Sequence, residues 1–351
     1  MRSLLTKTAA YAALAMAAII ASPAWAQSVK YEFDPSWPKP LPDKWVLGGL
    51  GGLCVDAQDH VLILNRQDVL DVDLNAGKMA PKMIEFDQAG NVVNSWGDPN
   101  LLDPRLHSCH FDQDGNVWVA AAPSGMIQKY THDGKKMLLQ IGPKGKLDSS
   151  DGTEKGKPLN SDAAIFNMPS SVFVDRTNGD IFVSDGEGGG SNRRIAVMDK
   201  TGKFLRQWKQ EDMQTVHCLT MAKDGQVYVC NRLGSDIRIF DKMGNLKGHI
   251  PVPWEPVTPP KDGKKKETGG SAVAIDFSPD PQQRLIFVIN QNNADVEIIE
   301  RATGKKVGAF GRPGSFAGEM QQPHGIAVDS KGNVYVDENR GRRVYRFKPV
   351  S

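Results

Sequence analysis

The chain has almost no excess charge of either sign. Its 43 Lys and Arg face 41 Asp and Glu, and two of the basic residues, Arg2 and Lys7, fall in a segment that reads as a removable leader. The remainder is balanced, which leaves no electrostatic footprint for nucleic acid or an anionic membrane surface. The one basic run, Lys261 to Lys266, sits between repeats and reads as a solvated loop. Long apolar runs are equally scarce. Ala9 to Ala21 is too short for a membrane span. With a basic start before it and Ala24-Trp25-Ala26 before Gln27, it reads as a secretory signal peptide over residues 1–26. No membrane span is expected in residues 27–351, and the product is expected to be secreted, in a bacterium to the periplasm or beyond.

Cysteine is sparse. The four residues Cys54, Cys109, Cys218 and Cys230 show no CxxC spacing, so no cysteine-based metal site is indicated. An oxidising compartment permits disulfides, but these positions lie inside strands, mostly of different repeats, and read mainly as small buried packing residues. Helical periodicity is missing as well. The 35 Gly and 22 Pro are many for a helical protein and ordinary for a chain of tight turns.

What is present is a repeat. Pro323 to Pro349 holds three short runs of alternating apolar residues, Ile326-Ala327-Val328, Val334-Tyr335-Val336 and Arg343 to Phe347, separated by Gly, Asn and Asp turns. Period-two runs between such turns mark antiparallel hairpins. Similar units begin near Leu53, His107, Ser170, His217 and Ser271. Units of about 40–45 residues with four strands are propeller blades. The last unit ends one strand short, and a lone strand at Val29 to Phe33 can supply the fourth. The expected fold is all-β: one domain over 27–351, a six-bladed β-propeller closed by its N-terminal strand, with a long insert at 143–166. A β-sandwich would not explain a repeat that stops one strand early.

The histidines separate by position. His107, His217 and His324 each stand at the start of an innermost strand, in blades two, four and six. Alternate blades of a six-bladed ring are 120° apart, so three such side chains converge on the axis. Three imidazoles at one point suit zinc, with a fourth position left for water or substrate; copper, iron or nickel would also accept them. In a metal-free site their ring nitrogens are expected within about 3–4 Å of one another, and each ring is expected to donate its other N–H to a carbonyl or carboxylate. His110 falls on the other side of its strand and reads as packed and hydrogen-bonded. His60 and His132 lie in turns and His249 ends an outer strand, all with structural roles.

The second strand of each blade returns to the face where the first began. Residues just after it rim the same mouth as the three histidines: Arg66, Ala122, Asp185, Glu187, Arg232, Asn290, Asn292, Glu338 and Arg340. Arg66 and Arg232 together fit a substrate carboxylate. Glu187 or Glu338 fits a general base, although Glu338 and Arg340 read rather as blade-turn structure.

The segments LHSCHFDQDGNVWV, VHCLTMAKDGQVYVCNR and PHGIAVDSKGNVYV resemble the lyase domain of peptidylglycine α-amidating enzymes, the peptidyl-α-hydroxyglycine α-amidating lyases, on NHL-type blades. The resemblance covers nearly all of 27–351. It implies a six-bladed propeller and a catalytic zinc held by His107, His217 and His324. It also implies substrate-binding arginines at Arg66 and Arg232, and cleavage of a carbinolamide to an amide and glyoxylate. Two departures stand out. The family's catalytic tyrosine follows a VSDG segment, where this chain has Glu187. The aspartate that helps hold the family's structural calcium is replaced by Gly325, so that calcium loses a ligand.

The sequence therefore points to an exported zinc-dependent carbon–nitrogen lyase. Its expected partner is a small-molecule or peptide substrate bearing a carboxylate, and Glu187 is expected to move a proton. A metal-dependent hydrolase or lactonase on the same cage is the alternative within enzymes. A non-catalytic NHL-type binding scaffold, its metal pinning the blades, is the alternative outside them.

Overall fold

The computed structural model describes residues 29–258 and 270–350, apart from Pro99, Pro104 and Gly189. The expected leader at 1–26 and the basic run at Lys261 to Lys266 lie outside the described residues. Six four-stranded antiparallel sheets follow one another along the chain, as the repeats predict. Their innermost strands are Leu50–Val55 in blade 1, Leu106–Phe111 in blade 2 and Pro169–Val174 in blade 3. Val216–Met221, Ala272–Phe277 and Pro323–Val328 hold those places in blades 4, 5 and 6. Among the described residues the only helical elements are two three-residue 3₁₀ turns, Pro42–Lys44 and Asp73–Asn75.

Burial follows position in the blade. Second strands such as Val117–Ala121 are buried on both faces, whereas outer strands such as Val92–Trp96 alternate. A sheet buried on both faces needs a neighbour on each side, so the core is shared between blades. Each interface carries its own apolar cluster, for example Phe86, Trp37 and Tyr335 between blades 6 and 1, and Phe182, Val216 and Phe240 between blades 3 and 4.

Closure is as the short final repeat predicts. Lys30–Phe33 pairs antiparallel with Val344–Val350, from Lys30 opposite Val350 to Phe33 opposite Phe347. Tyr31 stacks on Phe310 at 4.9 Å and meets Phe287 edge-on at 5.4 Å, which anchors the closing strand in the core between blades 5 and 6.

The insert at 143–166 is tied to blade 3. Asp148 accepts hydrogen bonds from the Ser161 amide (2.8 Å) and from Asn192 (2.9 Å). Fully buried Arg194 donates to Asp185 at 2.9 Å and to the carbonyls of Ser161 and Ile165. This is the observed place of Asp185: it anchors the insert instead of lining the channel mouth.

The reading of the cysteines as simple packing residues is corrected. All four are paired. Cys54–Cys109 joins the innermost strands of blades 1 and 2, and Cys218–Cys230 joins opposed residues of two adjacent strands in blade 4. The Cα separations, 5.7 and 4.9 Å, lie in the range a disulfide spans.

Candidate metal centre

Every innermost strand slips in register near its start, between Leu106 and Ser108, Val216 and Cys218, and Pro323 and Ile326, and at the matching places in the other three blades. A bulge adds a residue and re-aims its side chain. In blades 2, 4 and 6 the residues at the bulge include His107, His217 and His324. Their ring centroids are 4.8, 4.8 and 5.1 Å apart, all three are buried, and their nearest ligand atoms lie within 4.8 Å of one another.

Two rings are oriented from behind. Nδ1 of His107 donates to the Ser170 carbonyl and Nδ1 of His217 to the Val273 carbonyl, both at 2.7 Å. Each carbonyl belongs to the next blade round the ring. This fixes the tautomer and leaves each Nε2 as a lone-pair donor. Nδ1 of His324 is buried without a partner, so the expected outer hydrogen bond is found for two of the three rings. Burial drops the pKa of His217 to about 4 and that of His324 well below the ordinary histidine value. Neutral imidazole is the form that binds a metal.

Glu187 faces these nitrogens. Its Oε2 lies 3.1 Å from Nε2 of His107 and 3.0 Å from Nε2 of His217, yet none of the three atoms has a hydrogen-bond partner. Burial alone would raise the Glu187 pKa, but the imidazoles of His217 and His107 hold it well below the usual carboxylate range. With both rings neutral, two lone pairs and an anionic oxygen share one buried point, an arrangement that repels itself until a proton on a ring or a metal cation enters. The donor set, three imidazoles with a carboxylate beside them, fits a zinc-class ion.

The arginines sit around this point. Arg232 reaches Oε1 and the backbone carbonyl of Glu187, both at 3.4 Å. Arg66 donates through Nε to the Leu106 carbonyl, one residue before His107, at 3.2 Å. Burial lowers the Arg66 pKa, opposed by the charges of Glu187 and Asp337. An axial cavity of about 620 Å³ runs from the three histidines to the turns after the innermost strands, at Arg176 and Asp224; Arg66, Glu187 and Arg232 do not line it. Those three stand instead at the mouth where the histidine strands begin.

Other rim residues are structural. Asn290 donates to the Pro253 carbonyl at 3.0 Å and to Glu297 at 3.1 Å. Glu338 pairs with Arg343 at 2.6 Å and accepts from the Gln321 amide at 2.7 Å, while Arg340 is exposed and Ala122 is buried. His110 lines the axial cavity and packs against Phe173, centroids 4.5 Å apart, and its Nε2 has no hydrogen-bond partner, so it is packed as expected but not hydrogen-bonded through that nitrogen. His249 is exposed on an outer strand.

Asp337 was not singled out from the sequence. It is fully buried, accepts from the Gly325 amide at 2.7 Å through Oδ1, and leaves Oδ2 unpartnered. Burial pushes its pKa up to about 7. A Cβ on Gly325 would lie 2.7 Å from Asp337 Oδ2, 2.9 Å from Gly52 Cα and 3.0 Å from Leu53 N. No side chain fits beside His324, which gives a packing reason for the glycine where the resembled family has aspartate.

No family model matches the chain. Peptidyl-glycine alpha-amidating monooxygenase B of Xenopus laevis is 24% identical over 92% of this chain, which spans 36% of that protein's length. NHL repeat-containing protein 3 of Homo sapiens is 24% identical over 93% of this chain and 86% of its own. A probable peptidyl-alpha-hydroxyglycine alpha-amidating lyase of Caenorhabditis elegans is 22% identical over 86% of this chain and 83% of its own. Among solved structures, a streptogramin B lyase superposes with a TM-score of 0.58 at 14% identity, covering 92% of this chain and 98% of that one; at that identity the likeness speaks for the fold alone. The chain is a six-bladed propeller of four-stranded antiparallel blades, and its homologues include NHL repeat-containing protein 3 and amidating enzymes.

Proposed function

We propose that this protein is an exported zinc-dependent carbon–nitrogen lyase of the amidating type, cleaving a carbinolamide to an amide and glyoxylate or a related carbonyl acid. The observation that carries the reading is the convergence of three buried histidines, two of which, His107 and His217, bring their free nitrogens to 3.1 and 3.0 Å from the unpartnered oxygen of Glu187. His107, His217 and His324 would hold the zinc, which supplies a Lewis acid that makes a substrate hydroxyl more acidic. Glu187, ionised and at the same point, accepts the hydroxyl proton. The carbinol carbon–oxygen bond becomes a carbonyl, the carbon–nitrogen bond breaks, and the amide nitrogen takes the proton back. Arg232 and Arg66, flanking Glu187, orient the substrate carboxylate. The two disulfides support an oxidising destination, and no helix among the described residues is long and apolar enough to cross a membrane.

A second reading has an observation of its own. Glu187 Oε2 lies where a fourth protein ligand would sit, and a site closed by Glu187 would pin blades 2, 4 and 6 without chemistry. Elemental analysis of the native protein and of His217→Ala, alongside glyoxylate release from a peptidyl-α-hydroxyglycine, tests both. The lyase reading expects the variant to lose one metal equivalent and all turnover. Unchanged metal content would refute the site, and bound metal without turnover in the native protein would leave the scaffold.

A further inference from the structure

A second group of ligand-type side chains lies between blades 1 and 2, away from the axis. Asp56 follows the innermost strand of blade 1, His60 closes the turn after it, Glu85 sits on the third strand, Met83–Phe86, and His132 follows the third strand of blade 2, Met126–Tyr130. Glu85 Oε1 is 3.1 Å from His60 Nδ1 and 2.9 Å from His132 Nε2, and Asp56 Oδ2 is 3.8 and 3.7 Å from the same nitrogens. These four separations bracket the edge of about 3.3 Å expected between ligands on a tetrahedral zinc-class ion.

Hydrogen bonding accounts for only part of the cluster. Glu85 Oε1 accepts from both rings, and Asp56 Oδ1 accepts from the amides of Gln58 and His60 at 2.8 and 2.7 Å. Asp56 Oδ2 is left buried with no partner while aimed at both imidazoles. The two carboxyl side chains are only 2% and 4% exposed, and among the described residues no Lys or Arg pairs with either. With neutral imidazoles the cluster holds two buried negative charges and no cation, a costly arrangement. One divalent ion neutralises both and takes up the stray oxygen. Access is open, because the two rings are 32% and 37% exposed.

We propose that Asp56, His60, Glu85 and His132 form a second divalent-cation site, of the zinc class, that clamps blade 1 to blade 2. It is independent of the axial histidines and does not depend on the lyase reading. The Cys54–Cys109 disulfide crosses the same interface at the innermost strands, so the ion would fasten it further out. Two imidazoles with two carboxylates suit zinc better than calcium or magnesium, which prefer all-oxygen shells.

The test uses the full chain stripped with chelator and titrated with Zn²⁺ alone, with bound metal counted after equilibrium dialysis. Native protein is expected to bind two equivalents. His60→Gln/His132→Gln should bind one and keep its turnover, and His217→Ala should keep the one held by the Asp56 cluster. His132→Ala provides a second variant should the double substitution fail to fold, and it should show the same single equivalent. If the axial site fails and this one holds, the native protein binds one equivalent, kept in His217→Ala and lost in the double variant. The proposal is overturned if the His60/His132 variants bind as much zinc as native protein, or if His217→Ala binds none.

Discussion

Replacing Glu187 by glutamine is the most incisive single perturbation of the axial site. Glutamine keeps the volume and one carbonyl oxygen but removes the charge from the point 3.0–3.1 Å from His107 and His217. If Glu187 moves a proton, losing a general base costs about 10²–10⁴ in rate, or about 3–5 kcal/mol of barrier at 1.36 kcal/mol per decade. The contact to Arg232, long at 3.4 Å, adds little by comparison, and Arg66 remains to hold a carboxylate. KM should therefore change less than kcat. The pH profile gives a second readout. A carboxylate held well below the usual range is ionised throughout pH 5–8, and activity is lost only as pH falls through that depressed value. The native acid limb should then lie below the ordinary glutamate pKa of about 4.3, and the variant should lack that limb. The assay is steady-state kinetics across pH, paired with zinc affinity by chelator competition. Retained zinc with a collapse in kcat identifies the base. Lost zinc identifies a fourth ligand instead. Turnover at the native level would refute both roles.

Two further outcomes follow from geometry elsewhere in the ring. Chain-entropy reasoning assigns about 4 kcal/mol to Cys54–Cys109, which closes 55 residues, and about 3 kcal/mol to Cys218–Cys230, which closes 12. Urea unfolding of Cys54→Ser/Cys109→Ser should show the larger loss, and the reverse order would refute that accounting. Asp337, pushed from 3.8 to about 7 by burial, penalises the folded state once it ionises. Asp337→Asn should therefore stabilise the protein increasingly from pH 4 to 7 and level off above that, with a ceiling of about 4 kcal/mol at 1.36 kcal/mol per unit. A gain that does not vary with pH, measured by thermal unfolding, would contradict it.

Much of the architecture was legible because it repeats. Turn residues at blade spacing give the strands, and the missing strand after Phe347 gives the closure. The three histidines were legible because two-blade spacing turns sequence distance into angle. The bulges that aim them were not, since a slip of register depends on the partner strand as well as on the strand that carries it. The disulfide between Cys54 and Cys109 was hidden for a related reason: it depends on which residues of two neighbouring blades lie side by side. His60 and His132 looked like separate turn residues because they and their common partners, Asp56 and Glu85, come from three different places in two repeats. Asp337 was passed over for Glu338 because strand ends were read from the turn pattern, while burial and the hydrogen bond to Gly325 select the residue one position earlier.

The pairing of Lys30–Phe33 with Val344–Val350 sets a schedule for the chain's life. The first of these segments to leave the ribosome must wait for the last of them before its backbone groups find their partners. Until then blade 6 keeps an open edge, and the aromatic side of Tyr31 has no seat between blades 5 and 6. A chain crossing a membrane in extended form would bear that wait on the far side, exposed to proteases and to strand exchange with its neighbours. Assembly of the ring is in this sense a proofreading step, since a chain truncated before Val344 lacks the strand against which its own beginning must pair.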